Sequence, residues 1–153
     1  MKNSNTKIYM DACCLSRPFD DQTQNRVHIE TEAINNIITL AKLYKWVIFS
    51  SEVIDFEMEK IPEGKNGTEQ IKFYYSITNE FISLTPKSIK RAQHFQKLGI
   101  KLLDSYHLAL AEENNADLFL TTDDNLLSKA QTVGLNLEIA NPATWLTETS
   151  NGH

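Results

Sequence analysis

Short apolar runs and longer amphipathic stretches alternate along the chain, and turn or capping residues punctuate each change of period. Ile8-Tyr9-Met10 reads as a buried strand that ends at Asp11. A polar loop with Arg17-Pro18 follows, and Asp21 with Gln24 three residues on forms a candidate capping box. The helix behind it carries Val27, Ala33, Ile34, Ile37, Ile38 and Ala41 at helical spacing and runs to about Tyr44. Trp46 to Phe49 predicts a second strand. Ser50 or Ser51 then caps a helix that must stop near Pro62, because the residue before a proline is pushed out of helical backbone.

The segment Pro62 to Gly67 reads as a loop, and Asn66 with Glu69 can open another helix. Phe81 to Leu84 predicts a strand. Thr85-Pro86 is a cap followed by proline at the first helical position, and Gly99 closes that helix. A further helix spans about Leu103 to Asn114. Leu118 to Thr121 predicts a strand leading to Asp123, then a short helix closed by Gly134, then a last strand from Leu137 to Ala140. Strands alternating with helices predict an α/β fold, a three-layer α/β/α sandwich around a central, mainly parallel sheet. No repeat or long linker divides the chain, so residues 1–146 read as one domain and residues 147–153 as a flexible C-terminal tail.

In such sheets ligands bind beyond the carboxyl ends of the strands. Asp11 and Asp123 fall there. Asp124, next to Asp123, reads as the cap of the following helix, and Asp20 and Asp21 as turn and cap residues. Two further acids stand where a solvated acid would not. At 100° per residue, Val53, Ile54, Phe56, Met58 and Ile61 define an apolar arc with Glu57 near its middle, while Glu52, Asp55 and Glu59 lie off it. A glutamate on a buried stripe costs several kcal/mol unless a cation or hydrogen-bond donors satisfy it. The alternative is a frayed helix edge or a lysine partner. Asp104 sits between Ala111 and Leu108 on the inward arc of its own helix, with an N-cap as the competing role. His107 shares that arc and reads more readily as a hydrogen-bonded core histidine than as a base or ligand.

Brought to one sheet edge, Asp11, Glu57, Asp104 and Asp123 would repel one another and resist ionising together. Hard divalent cations with oxygen ligands, Mg²⁺ or Mn²⁺, relieve that repulsion. Such ions also serve phosphodiester hydrolysis.

Composition changes the picture at two points. The 153 residues are 41% hydrophobic and 23% charged, as in ordinary globular proteins, and the longest apolar runs fall far short of a bilayer span. No signal peptide is read at the N-terminus, and the adjacent Cys13 and Cys14 build no disulfide framework, so a reducing cytoplasm is expected. The net charge of −5 counts against nucleic-acid binding. Against that, cations reverse the local sign of an acidic site. Lys87, Lys90, Arg91, Lys97 and Lys101 also fall in one stretch with no acid, which reads either as a contact for phosphates or as the solvated face of a helix.

These segments together resemble the PIN-domain family. IYMDACCLSRPFDD looks like its N-terminus with the strand-end Asp11; SSEVIDFEME looks like its second motif, with Glu57 as the acid. GIKLLDSYHLALAEENNADLFLTTDDNLL looks like its third and fourth motifs, with Asp104 and Asp123. The resemblance runs from about Lys7 to Trp145. It implies Mg²⁺- or Mn²⁺-dependent cleavage of RNA, a toxin held inactive by an antitoxin protein, and a homodimer. A catalytically weak RNA-binding or protein-interaction module is the alternative within the same fold. One departure stands out: Cys13 occupies the position where the family usually carries Ser or Asn, with Ser16 a possible substitute. A receiver-type phosphoacceptor would need a lysine after a later strand, and an aspartate-nucleophile phosphatase a second acid at position 13; neither is present.

Overall fold

The computed structural model describes residues 6–62 and 66–151. Among these residues five strands form one sheet: β1 (Lys7–Met10), β2 (Val47–Ser51), β3 (Glu80–Ile82), β4 (Leu118–Leu120) and β5 (Glu138–Ala140). Their order is β3-β2-β1-β4-β5, and every pairing is parallel. The register sets Ile8 opposite both Ile48 and Leu118, which aligns the carboxyl ends of the three middle strands. The central strands are buried on both faces, from Ile8, Tyr9 and Met10 to Leu118, Phe119 and Leu120. That explains why they read as continuous apolar runs and not as alternating ones.

Among the described residues eight helices cover the sheet: α1 (Ala12–Ser16), α2 (Asn25–Tyr44), α3 (Glu52–Glu59), α4 (Gly67–Ile77), α5 (Pro86–Lys97), α6 (Leu102–Glu113), α7 (Asp124–Ala130) and α8 (Pro142–Asn151). α2 packs on α8, with Trp46 and Trp145 edge to face at 6.2 Å, while α5 packs on α6 and α3 meets both α4 and α6. The result is a three-layer α/β/α sandwich. No helix among the described residues is long and apolar enough to cross a membrane.

Several expectations need correction. The polar loop after Asp11 is itself a short helix, α1, and a 3-10 turn over Arg17–Phe19. α2 starts at Asn25 with no side-chain cap, because Asp21 spends its Oδ1 on the amide and hydroxyl of Thr23 in a local turn. Asn66 precedes α4 in the left-handed region and its side chain caps nothing; most of the loop before it, residues 63–65, lies outside the described residues. β3 begins at Glu80, one residue earlier than expected. Residues 147–151 continue α8, while residues 152 and 153 lie outside the described residues. The Thr85-Pro86 start of α5 is as expected, a reciprocal box in which Thr85 and Ser88 satisfy each other's amides.

Candidate functional site

Asp11 leaves β1 as the last residue tied into the sheet, its N–H donating to the Leu120 carbonyl at 3.2 Å. Its Oδ1 caps α1 by accepting from the Cys14 amide at 3.1 Å and from the Cys13 thiol at 3.1 Å. Only 2% of the residue is exposed. Burial raises its pKa, against which hydrogen bonds from Thr121 and Cys13 act. Burial and the adjacent Asp11 push the Cys13 thiol up to about 12, so at neutral pH it stays a protonated donor, as a hydroxyl would be at that position. Ser16 does not substitute: it donates to Gln70 Oε1 at 2.9 Å, away from Asp11.

α3 follows β2 directly, capped by Ser51 Oγ on the Ile54 amide. Val53, Ile54 and Met58 are buried, but Phe56 is about half exposed with the Lys60 ammonium over its ring, so the buried arc is narrower than its apolar residues imply. Glu57 therefore stands on the flank of that arc, and it has a partner: its Oε1 meets Nε2 of His107. The other ring nitrogen, Nδ1, lies 2.6 Å from the Tyr9 hydroxyl, which in turn lies 2.8 Å from Ser51 Oγ. Ser51, Tyr9, His107 and Glu57 form one chain of hydrogen bonds from the sheet to the acid. His107 is the core histidine expected, and it is also what orients Glu57. Asp55, expected in solvent, instead accepts from the hydroxyls of Tyr74 and Tyr75.

α6 starts one residue earlier than expected, with Lys101 as its N-cap, which places Asp104 in the first turn and excludes the capping role. Asp104 is half-buried. Burial raises its pKa first, the negative charges of Asp11, Asp123 and Glu57 raise it further, and His107 opposes them. After β4 the capping role that the sequence suggests for Asp124 falls to Asp123. Asp123 is the N-cap of α7, its Oδ1 accepting from the amides of Asn125 and Leu126. Asp124 turns outward to Arg26, whose guanidinium holds its pKa below the usual carboxylate range. A cap of this kind occupies one oxygen of Asp123 and still leaves it close enough to act on Asp104.

The four acids thus meet electrostatically at the carboxyl ends of β1, β2 and β4. They do not form a finished cage. Among the described residues no three His, Cys, Asp or Glu side chains stand close enough to hold a cation directly. Asp104 and Asp123 share a small hollow with Lys101 and Lys129, and Glu57 and Cys13 line a neighbouring groove of about 340 Å³. A larger cavity of about 580 Å³ opens between α5 and α6, away from the acids. Two of its charged side chains are already engaged, Arg91 by Glu112 at 2.7 Å and Glu113 by the Thr85 hydroxyl. The smaller acidic hollow is the better candidate site, because there burial and the charges of Asp11, Asp123 and Glu57 make Asp104 harder to ionise. Arg91 is also lost to the proposed phosphate contacts, being paired with Glu112 and stacked on Phe95.

Sequence reasoning missed Glu30. It is 2% exposed on the face of α2 that carries Val27 and Ile34, so the test that singled out Glu57 would have found it. Its oxygens accept from Arg17 Nε at 2.7 Å, Arg26 Nε at 3.1 Å and Asn141 Nδ2 at 2.6 Å.

Comparison with known proteins agrees with this architecture. Residues 8–131 match the family model described as the PIN domain. Among solved structures, VapBC2 from Rickettsia felis, bound to a DNA fragment from its promoter, superposes with a TM-score of 0.61 at 14% identity, covering 89% of this chain and 98% of that one. PAE2754 from Pyrobaculum aerophilum superposes with a TM-score of 0.56 at 13% identity, covering 95% and 91%. No curated protein matches. With the family model spanning both strand-end aspartates and both helical acids, this chain belongs to the PIN domain family.

Proposed function

We propose that this protein is a Mg²⁺- or Mn²⁺-dependent endoribonuclease with Asp11, Glu57, Asp104 and Asp123 as its metal-binding and catalytic residues. One observation supports the reading: Asp11 is made harder to ionise by burial, and Asp104 by burial and by the charges of Asp11, Asp123 and Glu57. The all-oxygen donor set fits a hard cation, and the open spacing fits Mg²⁺, which keeps several waters and takes only one or two carboxylates directly. A bound ion supplies positive charge against the acids and against the phosphodiester, and activates a water.

The chain's own residues prepare that site. Cys13 and Cys14 fix the Asp11 carboxylate by holding one oxygen, and the α7 amides fix Asp123 in the same way. His107 orients Glu57, and its other nitrogen is anchored by Tyr9. Lys101 and Lys129, at the rim beside Asp104 and Asp123, are placed to hold backbone phosphates. The likeness to VapBC2 supports a toxin regulated by an antitoxin, and the family resemblance a homodimer. Purified protein should cleave RNA with Mn²⁺ or Mg²⁺ and stop in excess chelator; metal-independent cleavage would refute the mechanism.

A second reading, a PIN-fold binding module with a weak site, draws on the absence of a ready cage and on Glu57 being engaged by His107. It predicts RNA binding without cleavage at any Mn²⁺ concentration. Binding itself tests the basic rim. Neutral replacements of Lys101 and Lys129 should weaken RNA binding about equally across sequences, and each should lower the slope of log K against log salt by roughly 0.7 for single-stranded RNA. An unchanged slope would return these lysines to the solvated surface.

A further inference from the structure

Asp123 is gripped on both sides by one side chain that is not among the four acids. Arg26 of α2 forks onto Asp124, Nη1 to Oδ2 and Nη2 to Oδ1, both at 2.8 Å, and the same Nη2 donates to the Thr122 carbonyl at 3.0 Å. The residues before and after Asp123 are therefore tied to a single rigid, planar group. That group is itself anchored. Arg26 Nε donates to Glu30, whose side chain is 3% exposed and is also held by Arg17 and by Asn141. An isolated surface ion pair orders little. Here the pair is bidentate, adds a carbonyl, and is backed by a buried carboxylate with two further donors, so its geometry is set before any ligand arrives.

We infer that Arg26, oriented by Glu30, is a positioning residue that aims Asp123 into the acidic hollow by clamping Thr122 and Asp124 to α2. The inference rests on the proposed role of Asp123. The clamp has a clear geometric task. Asp123 spends one oxygen on the α7 amides, so its remaining reach depends on where the 122–124 backbone sits. Without Arg26, the first turn of α7 would hold its cap less firmly and lose its fixed position relative to Asp104.

Partners that orient metal-binding groups typically contribute about 10- to 100-fold in metal affinity or activity. Arg26→Gln should lower kcat for RNA cleavage and Mn²⁺ affinity within that range, with KM little changed. It should also speed hydrogen exchange of the Asn125 and Leu126 amides in the metal-free protein. Arg26→Lys should not restore these properties, because an ammonium cannot fork. Asp124→Asn, an exposed change that leaves Glu30 satisfied, should reproduce a milder form of the same defect and keeps the test open if Arg26→Gln folds poorly. Wild-type kcat, Mn²⁺ affinity and amide exchange in Asp124→Asn would overturn the clamp, as would full rescue by lysine. If the wild-type protein itself neither binds Mn²⁺ nor cleaves RNA, the functional reading fails, and the exchange measurement alone still decides whether Arg26 holds the segment.

Discussion

Asp104→Asn is expected to lose about 10³-fold in RNA cleavage while melting at a higher temperature than the wild type in metal-free buffer at neutral pH. The activity loss corresponds to about 4 kcal/mol of transition-state stabilisation at 1.36 kcal/mol per decade. It follows from removing a negative charge that the proposed site uses to hold its cation, and Asp11→Asn and Asp123→Asn should fall as far. The stability gain has a separate cause. Burial, then the charges of Asp11, Asp123 and Glu57, make the ionised Asp104 costly in the fold. Its folded pKa is raised, as is that of Asp11, so the unfolded chain loses these protons first as pH rises. The metal-free protein should therefore be fully stabilised by these groups below about pH 4, the unfolded carboxylate value, and lose that contribution as pH climbs through the raised folded values. An amide at position 104 removes its share, with roughly 2–4 °C gained per kcal/mol relieved in a chain of this size. Melting curves across pH in chelator check the sign. A variant that loses activity and stability together would show Asp104 to be an ordinary structural acid.

Divalent metal should act on stability through the same groups. At about 100 times its dissociation constant, an ion that binds only the folded state adds about 2.7 kcal/mol, or roughly 5–10 °C here. Glu57→Gln should lose most of that gain and Glu59→Gln none of it, although the two residues share α3, because Glu59 is exposed and Glu57 is held toward the site by His107. Asp55 is no control, since it is bonded by Tyr74 and Tyr75. Thermal melts with and without Mn²⁺ separate the two outcomes. Equal metal response in both variants would disconnect Glu57 from the site.

The sheet was legible because buried parallel strands are short apolar runs, and each of the five predicted strands is found within a few residues. α1 was not legible: five residues containing two cysteines carry no period. α8 hid in an uncharged start, Pro142 to Leu146, whose burial comes from Trp145 packing on Trp46 across more than half the chain. The acids off their expected faces were visible by spacing, which pointed to Glu57 and Asp104. Spacing could not say that His107 reaches Glu57, since that contact joins helices fifty residues apart. Nor could it order Asp123 and Asp124. Both suit a cap, and the choice is made by Arg26, nearly a hundred residues upstream, drawing Asp124 outward.

The strand order carries a consequence for synthesis. β1 lies in the middle of the sheet, and its second neighbour, β4, is made 110 positions later by the register Met10 to Leu120. A chain still emerging from the ribosome can pair β1 with β2 and β2 with β3, and so can present Asp11 and Glu57 early. It holds one flank of β1 bare and lacks Asp123 until β4 has been made. Under the proposed activity, the growing polypeptide is harmless to the transcript that encodes it. The same delay leaves an apolar strand edge open for most of translation, a window in which a waiting partner or chaperone would find the chain unfinished.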